Sequence, residues 1–229
     1  MERFLDEQHL QRNATAQDGV EWHPLRPFLP AQMRVLFLGS FPPPRKRWCM
    51  DFFYPNYIND HWRIEGLLFF SDPNRFVDAE ARTFRLPNIV SFLREKGIGF
   101  FDTALAVRRL AGNASDKMLE VVQPTDIAAL IRQRPTLRAI ATTGEKACQT
   151  ICGQLGIATL PKVGQSVEVP DLGVEVPDLG VEMPERSVET PHQSLSLWRL
   201  PSSSRAYPLP LQKKAEAYRR LFQSVGLLP

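Results

Sequence analysis

The sequence predicts an α/β fold of three layers, α/β/α, around a central four-stranded, mainly parallel sheet. Short apolar runs alternate with helical patterns along the chain, as in successive βαβ units. The first run, Val35-Leu36-Phe37-Leu38, is apolar without alternation, as suits a strand covered on both faces. Three strand ends run into unusual residues: Gly39-Ser40-Phe41-Pro42, Asp102-Thr103 and Leu200-Pro201-Ser202-Ser203-Ser204. In a parallel sheet, ligands bind beyond those carboxyl ends.

Residues 1–33 read as an N-terminal strap, polar and partly helical, with Trp22, Pro24, Pro27 and Pro30 favouring an extended course against the body. Residues 34–229 read as one α/β domain. Its first strand spans about 34–39. Helices are predicted at 61–70 (HWRIEGLLFF) and 87–96 (PNIVSFLREK), then a strand from Ile98 to Ala104. Pro124 is expected to open the helix PTDIAALIRQR, since proline suits a first helical turn. A strand follows at Leu137–Gly144, a helix from Glu145 to about Leu155, and a strand at Leu195–Ser202. A basic amphipathic helix, roughly 209–223, closes the chain.

One segment breaks this rhythm. From Ser166 the chain reads SVEVPDL, GVEVPDL, GVEMPER, SVETPHQ, four tandem sevens with proline at 170, 177, 184 and 191. Proline at that spacing forbids a helix. Residues 164–193 are expected to be an acidic, extended surface insertion, which a body can carry at little closure entropy.

The chain has 229 residues and 43% apolar residues, enough for one core. No apolar run approaches the eighteen or so residues of a membrane span, and the polar start MERFLDEQHLQRNATAQDG does not resemble a secretory signal. Cys49, Cys148 and Cys152 form no metal spacing. The expectation is a cytoplasmic, monomeric protein with reduced thiols and no metal site. The formal charge of +3 conceals an asymmetry. Residues 164–190 hold seven acids and one base, leaving 27 bases and 18 acids elsewhere, a balance of +9. That balance fits a polyanionic partner, and also an ordinary basic enzyme surface.

The strand-end residues define a chemistry. Glycine lets backbone approach a ligand closely. A Pro-Ser-Ser-Ser turn offers hydroxyls and amides to a phosphate. Trp48, Phe52, Phe53, Tyr54, Tyr57 and Trp62 offer faces on which a base can stack. Arg45, Lys46 and Arg47 can neutralise phosphates nearby. Together they describe a cleft for one nucleobase and its backbone. Each has a plainer explanation alone, since aromatics near a strand end are usually core. The chain carries no G-x-S-x-G, no G-x-x-x-x-G-K-[ST] and no dinucleotide fingerprint.

From Val35 to Phe222 the sequence resembles the uracil-DNA glycosylase superfamily, most closely its hypoxanthine-DNA (deoxyinosine) glycosylase branch. LGSFP resembles the first active-site motif, FFYPNYINDHWRI the aromatic run ending in Asn and Trp, GIGFFDTA the second strand, and LPSSSRA the loop that presses on the DNA minor groove. The resemblance implies a monofunctional N-glycosyl hydrolase of base excision repair. Such an enzyme flips a deaminated base, hypoxanthine or uracil, out of DNA and needs no cofactor. Two departures stand out. Phe41 occupies the position where the best-known members hold water with Asp or Asn, and Leu200 the position of their His or Asn. The hypoxanthine branch shares such losses and relies on the asparagine matching Asn59. The resemblance therefore assigns water-holding to Asn59 and stacking to Tyr54. An asparagine before a helix is also an ordinary N-cap.

The backbone N–H groups of Ser40 and Phe41 are candidates to donate to a base carbonyl. Asp102, an acceptor only when ionised, favours bases carrying N–H on the pairing edge, as uracil, hypoxanthine and xanthine do. Arg45, Lys46, Arg47, Ser202, Ser203, Ser204 and Arg205 are the candidate DNA contacts. Ser204 stands where the family has an apolar wedge and is too short for it; Arg205 is the nearest long side chain. The rival reading is a nucleic-acid-binding relative without catalysis.

Overall fold

The computed structural model describes residues 19–110, 119–132, 134–170 and 194–229. The expected helical start of the strap and the repeats from residue 171 to 193 lie outside the described residues. Four parallel strands form the centre: β2 (Val35–Gly39), β5 (Ile98–Asp102), β8 (Ala139–Thr142) and β10 (Ser196–Arg199). They lie in the order β5-β2-β8-β10, and their parallel pairing agrees with the predicted fold class. A fifth strand, β9 (Gln165–Glu168), pairs antiparallel with β10 and makes the edge. It lies within the span read as the insertion, and it places Val169 in the core. The first repeat thus contributes Ser166–Glu168 to the sheet, because its alternating Val and polar residues pair readily with an open edge.

The residues of β2 from Val35 to Leu38 are fully buried, because helices cover both faces. On one face Phe37 meets His61, Tyr218 and Phe222. Those residues belong to α1 (His61–Phe70) and α5 (Leu211–Ser224), which pack on each other. α2 (Leu86–Lys96) packs on β5 and stops at Gly97, whose positive φ of 68° is a left-handed stop that favours glycine. α4 (Glu145–Gln154) packs against β8 and against α3 (Ile127–Arg132), with Cys148, Ile151 and Cys152 in the core.

Three features depart from the expected element order. The strand expected to reach Ala104 ends at Asp102, and β6 (Ala104–Arg109) leaves for a second, antiparallel sheet with β7 (Leu119–Pro124). Pro124 therefore ends a strand, and α3 begins at Ile127, where the Asp126 carboxylate accepts from Ala129 N–H at 2.9 Å. The strap is structural: β1 (Val20–Trp22) is the third strand of that sheet, pairing with β6, and Phe28 pairs with Phe100 on the outer edge of β5. A short hairpin of β3 (Val77–Asp78) and β4 (Thr83–Phe84) completes the described elements.

Candidate functional site

The parallel register sets Gly39 beside Asp102 at the carboxyl ends of β2 and β5. Gly39 is required by this approach, since a Cβ there would overlap the Asp102 carboxylate. Beyond these ends lies a cavity of about 200 Å³. It is smaller than the roughly 300–1,000 Å³ of sites for drug-sized ligands and suits a small planar group. It gathers Ser40, Phe41, Arg47, Tyr54, Asn59, Asp102, Ser202, Ser203 and Ser204 from three separate stretches of sequence.

Asp102 is nearly buried, and its Oδ2 lies 2.9 Å from His23 Nε2. His23 comes from the strap, is 1% exposed, and sits among Phe41, Phe53 and Phe101. Leu25 presents both its amide (3.1 Å) and its carbonyl (2.8 Å) to His23 Nδ1. The turn thus suits the neutral Nε2–H tautomer and the imidazolium alike, and in either form Nε2–H donates to Asp102. Sequence reasoning had no signal for this pair, which joins residues 79 positions apart.

Phe41 is buried in a small cluster with Ala104, Val107 and Leu119. Arg109, which also lines the cavity, holds the segment in place. Its guanidinium lies 5.6 Å from the Phe41 ring, donates to Pro42 O at 2.7 Å, and pairs with both Glu21 oxygens at 2.9 Å. Arg109 was not foreseen either.

Of the six aromatics after β2, Phe52, Phe53 and Trp62 are core. Trp48 packs under Arg45 at 4.2 Å, and Tyr57 packs near Arg63. Tyr54 is the cavity wall. It adopts a positive φ of 48°, unfavourable for a bulky residue and found where surrounding contacts impose it. Those contacts are visible: its ring stacks on His61 at 3.8 Å and 6°, and its hydroxyl meets Thr143 Oγ1 at 2.8 Å. His61 and Glu65 lie wholly buried one turn apart, with Nε2 and Oε1 at 3.0 Å but poorly aligned for a hydrogen bond.

Asn59 lines the cavity, and its Oδ1 accepts from the His61 amide at 2.9 Å, a bond at the start of α1. Its oxygen thus serves the helix with one lone pair and keeps a second. Asp60 joins the two loops that flank the cavity. Its amide donates to Ser203 O at 2.9 Å, and its carboxylate receives buried Lys214 (3.0 Å) and half-exposed Arg205 (3.0 Å). Lys214 also donates to Ser204 O at 2.8 Å. Burial holds the Tyr218 phenol beneath this loop well above its usual range, with the neighbouring Tyr54 adding to the shift.

The candidate phosphate contacts divide. Arg47 lines the cavity; Arg45 is paired with Asp51, and Lys46 is exposed outside the lining, both on a short 3-10 turn, Arg45–Arg47. Arg205 is half exposed and engaged with Asp60. Among the described residues no His, Cys, Asp and Glu cluster has the grouping of a metal site, and no helix is long and apolar enough to cross a membrane.

No protein-family model matches this sequence, and no curated protein matches it. Its fold matches the solution NMR structure of "a putative Uracil DNA glycosylase from Methanosarcina acetivorans". That match has a TM-score of 0.53 and 20% sequence identity, over 88% of this chain and 96% of the other. At that identity the likeness is one of fold.

Proposed function

We propose that the chain is a monofunctional DNA glycosylase that flips a deaminated base, hypoxanthine or uracil, out of DNA and hydrolyses its N-glycosidic bond. The observation that carries this reading is the convergence on one small cavity of a carboxylate acceptor, a stacking ring, a polar amide and a serine loop. Extrusion would place the base against Tyr54, with its N–H edge toward Asp102, which His23 holds in place. The Ser40 and Phe41 amides would donate to a base carbonyl, where negative charge grows as the bond breaks. Asn59 offers its remaining lone pair to a water below C1′. The water oxygen bonds to C1′, the C1′–N bond breaks with its electron pair on the base, and the water's proton passes to solvent or to the departing base. The products are free base and an abasic site. An amide is a weak base, so this site would be a modest catalyst that works by positioning.

A second reading has its own observation. Asn59 Oδ1 is already engaged by the His61 amide in the turn before α1, whose N-cap is Asp60, as suits a chain that binds nucleic acid without catalysis. Purified protein incubated with oligonucleotides carrying a single uracil, hypoxanthine, xanthine or thymine lesion separates the two. Alkali-labile strands with uracil or hypoxanthine support the glycosylase. Lesion binding without alkali-labile strands supports the second reading.

A further inference from the structure

A flipping enzyme must fill the gap it leaves in the stack, and apolar wedges are the usual means. The Pro201–Arg205 loop has no such side chain: Ser204 is short, and Arg205 is tied to Asp60. The opposite lip of the cavity does carry one. Ile58 is 52% exposed. Asn56 and Asn59 on either side line the cavity, whereas Ile58 faces solvent.

A lone exposed isoleucine is ordinary. What distinguishes Ile58 is the way its backbone is held. Arg63, only 9% exposed, donates through one nitrogen to the carbonyls of both Tyr57 (2.8 Å) and Asn59 (3.0 Å), the residues flanking it. Asn56 Oδ1 accepts from Ile58 N–H at 3.1 Å, and Asn56 O accepts from Asn59 N–H at 2.8 Å. The Arg63 guanidinium is itself seated over the rings of Tyr57 and Phe84, at 5.1 and 5.4 Å. One residue further on, the Asp60 amide binds Ser203 O, so this lip and the serine loop form one rigid rim. The fold thus fixes four backbone groups around a branched apolar side chain and aims it away from the protein. Burying that side chain in a duplex would cost little ordering entropy.

We propose that Ile58, on the segment before α1, is the wedge that enters the DNA stack when the base is extruded, the part that Ser204 on the opposite loop cannot play. The inference rests on the glycosylase reading. It predicts a residue that matters for duplex substrate and is idle on single strands, where no stack has to be held open.

The test uses full-length protein, Ile58→Ala, Ile58→Leu and Arg205→Ala. Duplex and single-stranded oligonucleotides carry deoxyinosine or deoxyuridine with 2-aminopurine beside it. Ile58→Ala should slow single-turnover cleavage of duplex about tenfold or more, leave single-strand cleavage at the wild-type rate, and abolish the 2-aminopurine fluorescence rise that reports unstacking. Ile58→Leu should restore both. Equal fluorescence rises in wild type and Ile58→Ala overturn the wedge, as does an equal slowing on both substrates. Loss of the rise in Arg205→Ala alone transfers the role to Arg205. Because the fluorescence arm requires no cleavage, failure of the glycosylase reading shows separately, as absence of alkali-labile strands from every substrate.

Discussion

Replacing Lys214 with methionine removes the cation that holds the two loops of the cavity together. Lys214 is 1% exposed, and its ammonium has two oxygen acceptors, Asp60 Oδ2 at 3.0 Å and Ser204 O at 2.8 Å. Removing one partner of a buried ion pair typically costs about 3–5 kcal/mol, because the other charge is left desolvated. Here Arg205 still reaches Asp60 Oδ1, so the lower end applies, about 3 kcal/mol. For a chain of this size that lowers Tm by about 6–12 °C. Adding Asp60→Asn removes the stranded charge. The double variant should then be about 2 kcal/mol more stable than the sum of the single changes, within the range seen for touching residues. Urea or thermal unfolding by circular dichroism of the four proteins closes the cycle. Affinity for lesion-free DNA should fall in Lys214→Met, since the Ser202–Ser204 loop loses its anchor. Additive effects, or a single-variant loss below about 1 kcal/mol, would show that the pair carries no special weight and that the loop is held by its backbone bonds alone.

Three further outcomes are expected. Asn59→Ala should slow single-turnover base release about a hundredfold, the scale for one positioned polar group, and destabilise the protein by about 1 kcal/mol through the lost hydrogen bond to the His61 amide. Asn59→Asp keeps an oxygen for both the His61 amide and the water, so it should recover stability and rate together, whereas a wild-type rate in folded Asn59→Ala withdraws the catalytic role. Gly39→Ala should push the Asp102 carboxylate aside and reduce discrimination between deaminated and parent bases in a competition assay, at about 1–3 kcal/mol of overpacking strain. Burial, reinforced by Cys148, raises the Cys152 thiol from 9.0 to about 11. The unfolded chain therefore gives up this proton before the folded one does. Stability should be flat below about pH 8 and fall between pH 9 and 11, with a smaller fall in Cys152→Ala followed by chemical denaturation at each pH.

The parallel sheet was legible because β2, β5 and β8 are buried on both faces and declare themselves as largely apolar runs. Helices α1, α2, α4 and α5 were legible from periodicity, each to within a residue or two. The second sheet was not. β1 has only three residues, too few for any pattern. In β7 both valines are exposed and only Leu119 is buried, so Leu119–Pro124 shows no alternating face to read. Pro124 then fitted a helix start equally well. Local motifs located Ser40, Phe41, Tyr54, Asn59 and Asp102, and the fold sets them around one cavity. It does not bring Arg45 or Lys46 into that lining, because the 3-10 turn directs them outward. The electrostatic partners of the site escaped altogether. Pairing His23 with Asp102, or Glu21 with Arg109, requires the strap's path, and that path is set by edge pairing that no local pattern records.

That path changes how the strap should be understood. The strap boundary read at residue 33 does not bound the site, since Leu25 lines the cavity and His23 supplies the hydrogen bond to Asp102. The same segment closes two sheet edges, through Val20–Trp22 on β6 and Phe28 on β5. A third tie runs from Glu21 through Arg109 to Pro42 O, fixing the loop that carries Ser40 and Phe41. Loosening the strap would therefore act on the acceptor and on the donors of the proposed base site together, while the four parallel strands kept their own pairing. The strap is thus tied to the proposed base site and its sheets through hydrogen bonds at four points, as directly as the strand ends themselves.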